Sequence, residues 1–283
     1  MTGQGLLTQW RHDRLIRLTA DGRQDAPGMR DLWRISRRRF KHRILEGAAL
    51  HQPRFFCLNS GGCGSTYLIC LLADNGWPGV YHEKVPDFNA LGVEHWDGPL
   101  SQVRLASLLR YTRWDVFLEA NNRLFSLARP LYRAFPGSRF VHLHRDGREA
   151  VCSALSRPDV AGYLRTNIRF QGTLAGPRQR SPLERFCHYW NNMNRRILDD
   201  LLQLFPLTGP WLNLPFADLV AGRLNELERF TGREISVRRR PVVNRGLIGQ
   251  QGRYPGFADW PESDQRLFHS ICGETMQRLG YSL

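Results

Sequence analysis

The sequence predicts an α/β fold, a P-loop-like parallel sheet flanked by helices. Three observations lead there. Short apolar runs alternate with helical stretches from residue 54 onward. The first of these runs passes through a glycine-rich loop straight into a helix. Proline and glycine then stop the helices at regular intervals, as in a chain of strand–helix crossovers.

The elements follow in order. Phe55-Phe56-Cys57-Leu58 reads as a buried strand, Asn59 to Ser65 as a loop, and Thr66 to Asn75 as a helix closed by Gly76. Val80-Tyr81 is a second short strand, Val103 to Tyr111 a helix, and Asp115 to Leu118 a third strand. Leu127 to Phe135 is a helix stopped by Pro136-Gly137, and Arg139 to His144 is a strand feeding a helix over Arg148 to Leu155. Pro182 to Phe205 has the long amphipathic pattern of a helix, Trp211 to Leu214 that of a strand, and Leu224 to Phe230 that of a helix ending at Gly232. Strands continuous in apolar residues are buried on both faces, which favours a parallel sheet between two helix layers.

Residues 1–53 differ from the rest and are read as a basic, helical N-terminal extension to a domain over 54–283. The run Arg34 to Arg43 is dense in arginine, and Leu32, Ile35, Phe40 and Leu45 mark one apolar face. Such a face packs on the domain's flank or meets an anionic surface. At 283 residues the chain is long enough for one large domain.

With 42% hydrophobic and 23% charged residues the chain is globular in composition, and its net charge of +14 calls for an anionic partner. Charge alone leaves nucleic acid, a membrane surface, an acidic substrate and a phosphorylated co-substrate open. Lysine occurs only at Lys41 and Lys84, so nearly all of the 40 basic residues are arginine. Six scattered cysteines without a CxxC pair point to a reducing compartment. Nothing approaches about 18 consecutive apolar residues, the length a membrane span needs. The expectation is a soluble, cytoplasmic protein.

The loop after the first strand has the chemistry of an anion nest. Gly61, Gly62 and Gly64 permit positive φ and close backbone approach, and Ser65 and Thr66 add hydroxyl donors where a helix dipole begins. It is no Walker A loop, because no lysine precedes the hydroxyl pair. The stretch Ser60-Gly61-Gly62-Cys63-Gly64-Ser65-Thr66-Tyr67-Leu68 resembles the 5′-phosphosulfate loop of the PAPS-dependent sulfotransferases (PAPS is 3′-phosphoadenosine 5′-phosphosulfate). Gly64, Ser65 and Thr66 match the G-T-T core of that loop. Gly62 stands where the family carries a cation, and Cys63 where it carries serine.

A second segment, Phe140 to Ser153, resembles the family's 3′-phosphate segment, an apolar strand followed by R-D-(P/G)-R-(D/E)-x-x-x-S. Arg145 and Ser153 fall on the arginine and serine that grip the 3′-phosphate. Both would face the carboxyl end of a strand, where open α/β sheets bind ligands. Trp190-Asn191 resembles the family's W-N element, and Leu214 to Val220 its V-x-Y-E-D-L segment with Phe216 and Ala217 substituted. Asn244-Arg245-Gly246 matches the late basic loop that closes on the 3′-phosphate, which adds Arg245 and Gly246 to the donor site.

The resemblance implies the sulfotransferase fold, PAPS as co-substrate, a hydroxyl-bearing acceptor (carbohydrate, small metabolite or peptide tyrosine), and no metal. Nucleic acid is not an expected partner. The acceptor hydroxyl needs a base. Glu83 is the first candidate, 21 residues after Gly62, and the family's protein-tyrosine and bacterial members use a glutamate in that region. His82 is the second, since cytosolic members use histidine. His142 and His144 share a strand face without a third ligand, which does not make a metal site.

The cation for the leaving oxygen is missing at Gly62, and Glu119 stands where relatives carry a further lysine. Lys84, Arg123 and Arg54 are the candidates to replace it. Two other classes remain open on the same residues: a non-catalytic PAPS- or polyanion-binding protein, and another P-loop transferase such as a small-molecule kinase.

Overall fold

A computed structural model describes residues 55–77, 79–83, 118–135, 137–157, 180–206, 209–237 and 254–283. The basic run 34–43, Arg54, Lys84, the helix expected over Val103–Tyr111, and the Asn244-Arg245-Gly246 loop lie outside them.

Five strands form one sheet: β1 (Phe55–Asn59), β2 (Val80–His82), β3 (Leu118–Asn121), β4 (Arg139–His144) and β5 (Trp211–Pro215). Their order is β2-β3-β1-β4-β5, and every pairing is parallel. This is the architecture the alternating pattern predicts. The third strand is described over Leu118–Asn121, while the expected start at Asp115 lies outside the described residues. In the sheet Phe55 aligns with Leu118 and Leu58 with Asn121. The apolar Val116-Phe117 pair that suggests an earlier start lies outside the described residues.

Alternation along β1 divides the core. Phe56 and Leu58 pack with Phe140, Met193 and Ile197 on one face. Phe55 and Cys57 pack with Val141, Leu68 and Leu72 on the other. The helices are α1 (Ser65–Asp74), α2 (Ala128–Ala134), α3 (Gly147–Leu155), α4 (Pro182–Leu204), α5 (Phe216–Ala221), α6 (Asn225–Thr231) and α7 (Glu262–Arg278). None among the described residues is long and apolar enough to cross a membrane.

The long helix α4 begins on a capping sequence. The Ser181 side chain accepts from the Glu184 backbone N–H, and Pro182 occupies the first turn. It carries Phe186, Cys187 and Trp190 into a third cluster with Val151 of α3 and Phe268, Cys272 and Met276 of α7. The sequence reading has no counterpart for α7.

Two polar side chains tie α4 to the sheet's functional edge. Trp190 Nε1 donates to the Arg145 carbonyl at 3.2 Å, and His142 Nε2 donates to Asn194 Oδ1 at 3.0 Å. Next along β4, His144 Nδ1 lies 2.8 Å from the hydroxyl of Tyr281, which follows α7.

Both histidines are fully buried. Desolvation pushes His142 down to about 4, offset only in part by its bond to Asn194. Burial and the neighbouring His142 push His144 lower still. An unfolded histidine titrates near 6.5, so the unfolded state takes up these protons first. The stability they contribute is therefore complete above about pH 6.5 and is lost as pH falls toward 4, at about 1.4 kcal/mol per pH unit per histidine. Denaturant unfolding between pH 7 and 4.5 should show this slope, and His142→Gln should make it shallower.

Candidate active site

The sheet's carboxyl edge collects the site. β1 ends at Asn59, and the Asn59 side chain accepts from the Gly61 N–H at 3.0 Å, turning the chain into the loop. Gly61, Gly62 and Gly64 all have positive φ. Gly64 caps α1 at φ 93°, so the first helical N–H groups point back over the loop.

At Gly64 the glycine is demanded twice. Its φ disfavours a side chain, and an added Cβ would lie 2.1 Å from Cδ2 of Phe216. Phe216 also meets Tyr67 edge-on at 5.9 Å, and the Arg145 guanidinium sits over its ring, 5.5 Å from the centroid. One aromatic ring thus joins the loop, the start of α1 and the end of β4.

Side chains of the predicted loop residues divide sharply. Ser65 Oγ lies 2.9 Å from His82 Nε2, and Thr66 Oγ1 lies 3.4 Å from the same atom. Cys63 and Tyr67 turn into the core, and burial pushes the Cys63 thiol up to about 12. That leaves only their backbone N–H groups as candidates for binding. Gly62 is exposed, with open space where a Cβ would stand.

On the other side of the sheet's centre, Asp146 caps α3 by accepting from the Arg148 N–H at 2.8 Å and pairs with the Arg148 guanidinium. Gly147 fits here because Phe268, Met276 and Trp190 lie 3.1–3.2 Å from an added Cβ. Arg145 pairs with Glu149 at 2.9 Å. Ser153, two turns into α3, faces back toward the loop as the 3.6-residue period requires.

Loop and helix line a small cleft that is open to solvent. Its polar lining is Ser60, Gly61, Gly62, Ser153 and Arg157. Phe186, Tyr189 and Trp190 of α4 form an aromatic wall. The buried Ser60 Oγ has no hydrogen-bond partner among the described residues, so a donor or acceptor arriving in this cleft would satisfy it. Arg157 escapes the motif reading because it lies just past the end of α3, beyond Ser153, where the resemblance prescribes nothing.

His82 and Glu83 end β2 at the same edge. Glu83 is exposed and is the one non-glycine residue with positive φ among the described residues, at 51°. Its N–H is held by the Ala120 carbonyl at 3.1 Å. Glu119 is buried in β3 and accepts from Asn121 Nδ2 at 3.4 Å. Arg123 follows in a 3-10 turn, with its N–H on the Asn121 side chain at 2.9 Å. Among the described residues no three His, Cys, Asp or Glu side chains gather as a metal site.

The model of the Sulfotransferase family matches residues 5–232, most of the chain. The chain belongs to the sulfotransferase family. Similar solved structures include a sulfotransferase from Alicyclobacillus acidocaldarius, 14% identical with a TM-score of 0.46 over 82% of this chain and 97% of that one. The sulfotransferase domain of the Synechococcus PCC 7002 olefin synthase is 19% identical, with a TM-score of 0.42 over 82% and 96% of the two chains. A sulfotransferase domain from the curacin biosynthetic pathway is 17% identical, at 0.45 over 82% and 99%. No curated protein matched the chain. In this member of the family the expected loop and the Arg145–Ser153 segment sit on adjacent strands, β1 and β4.

The contact between Gly64 and Phe216 makes a direct prediction. Gly64→Ala should lose about 2–4 kcal/mol, from the left-handed backbone and the overpacked ring together. Phe216→Leu in the same chain should return part of the loss. Chemical denaturation of the two single variants and the double variant measures both.

Proposed function

We propose that this chain transfers a sulfuryl group from PAPS to the hydroxyl of an acceptor. The observation that carries the reading is the cleft in which Ser60, Gly61 and Gly62 of the loop face Ser153 of α3. Loop N–H groups, the α1 dipole and the Ser65 and Thr66 hydroxyls suit the 5′-phosphosulfate of such a donor. Arg145 and Ser153 suit its 3′-phosphate, with Arg245 and Gly246 closing the site as the family pattern implies. The residues present fit this ligand, since the cleft offers hydroxyls, backbone donors and arginine, and an unsatisfied Ser60 Oγ.

In the transfer the acceptor oxygen forms a bond to sulfur as the bond from sulfur to the bridging 5′-phosphate oxygen breaks. The acceptor proton goes to a base, and the negative charge left on the bridging oxygen is met by the loop. Positioning and electrostatics dominate chemistry of this kind. No metal is needed for it.

We assign Glu83 as the base and His82 as the residue that positions the loop hydroxyls. Support for Glu83 comes from its backbone. A strained, exposed carboxylate at the mouth of a ligand edge is a conformation that costs about 1 kcal/mol or more and persists where function demands it. Support for the role of His82 is its Nε2, already engaged with Ser65. The acceptor belongs to the hydroxyl class of carbohydrates, small metabolites or peptide tyrosines.

Calorimetry with PAP, the desulfonated donor, tests the donor site. Arg145→Ala and Ser153→Ala should each weaken PAP binding about ten-fold or more, and a chain that does not bind PAP refutes the reading. Glu83→Gln should leave PAP affinity unchanged and abolish transfer from PAPS to a phenolic or sugar acceptor. Full activity in that variant would move the base role to another residue.

A further inference from the structure

We infer that Arg157 supplies the positive charge that this chain lacks at Gly62, binding the 5′-side oxyanion of the donor from across the cleft. The inference rests on the donor reading above. Sulfuryl transfer concentrates negative charge at the bridging oxygen and the 5′-phosphate, where a cation adds to the stabilisation the loop N–H groups supply. Gly62 has no side chain, and its φ of 65° makes a side chain there unfavourable. The charge must therefore come from another element.

Four observations single out Arg157. It lines the same cleft as Ser60, Gly61 and Gly62, so its side chain and the loop share one solvent space. Arg145, the arginine of the 3′-phosphate segment, does not line this cleft; it is paired with Glu149 and stacked on Phe216. Arg157 stands immediately after α3, where its N–H bonds to the Ala154 carbonyl at 3.3 Å, and that places its side chain one turn beyond Ser153. Ser60, on the loop that lines this cleft, has a buried Oγ unpartnered among the described residues, which leaves a donor for an oxyanion.

Guanidinium suits the task better than ammonium would from this distance. Its planar fork reaches two oxygens of one phosphate or sulfate and keeps its charge at any working pH. The cleft's aromatic wall at Phe186, Tyr189 and Trp190 excludes water from one side and strengthens the pairing. The two arginines then divide the labour, with Arg145 beside the 3′-phosphate and Arg157 on the 5′ side.

Calorimetry with two ligands tests this on the full chain. PAP carries both phosphates, and adenosine 3′-phosphate carries only one. Arg157→Gln should weaken PAP about ten-fold or more and leave adenosine 3′-phosphate unchanged, whereas Ser153→Ala should weaken both. Arg157→Lys should recover part of the PAP affinity, since it restores charge without the fork. Thermal unfolding of each variant checks that it is folded, and Arg266→Gln, a change on the exposed surface of α7, is the control. If the wild-type chain binds PAP and Arg157→Gln binds it equally well, the inference is overturned and the donor reading stands. Equal losses on PAP and adenosine 3′-phosphate also overturn it, by placing Arg157 on the 3′ side. No PAP binding by the wild-type chain would overturn the donor reading itself.

Discussion

The ring of Phe216 against Gly64 is the contact on which the rest of the site depends. The loop and α1 belong to the crossover from β1 to β2, whereas Phe216 begins α5 immediately after β5. Nothing in the sheet itself joins those two strand ends, because β4 lies between β1 and β5. Phe216 closes that gap, with its ring against Gly64 and Tyr67 and the Arg145 guanidinium over it. The left-handed cap of α1, the aim of its first N–H groups and the place of Arg145 are thereby set by one aromatic side chain. An ordinary Cβ at residue 64 cannot coexist with that ring.

Around this contact the structure holds its ligand edge from behind. Trp190 fixes the Arg145 carbonyl, Asn194 fixes His142, and Tyr281 meets His144. His142 and His144 of β4 and Arg145 just past it are thus each held by a polar partner from α4 or beyond α7. The cost is two buried imidazoles whose second nitrogens, His142 Nδ1 and His144 Nε2, have no hydrogen-bond partner among the described residues. They stay neutral because burial penalises the imidazolium so strongly. A rigid strand end is what preorganised electrostatic binding at the candidate site requires.

Much of this was legible in the residues, for reasons that differ by element. The bounds of β4 match the apolar alternation of Arg139 to His144, since a strand covered on both faces has nothing but pattern and punctuation to define it. The loop was legible because only glycine tolerates its backbone. β3 runs on to Asn121, past the expected end at Leu118, since polar Glu119 and Asn121 hide a strand that pairing with β1 sustains. α7 was not legible beyond its apolar spacing, because its role is to cover α3 and α4, and nothing local announces such a partner. In the candidate site the motif residues Ser153 and Gly61–Gly62 do share a cleft, but the side chains of Cys63 and Tyr67 point into the core. Arg157 could not be read from the sequence, since only the folded chain sets it opposite the loop.

The hydroxyl of Tyr281 touches His144 across a sequence separation of 137 residues. In a chain that emerges from the ribosome in order, β1, β4 and the loop are made long before that partner exists. The contact beneath Arg145 is therefore a closure far along the contour of the chain, whereas His142 meets its partner, Asn194 of α4, much nearer in sequence. Topology thus makes the support of this strand end depend on a contact of long sequence separation, unlike the pairing of neighbouring strands around it.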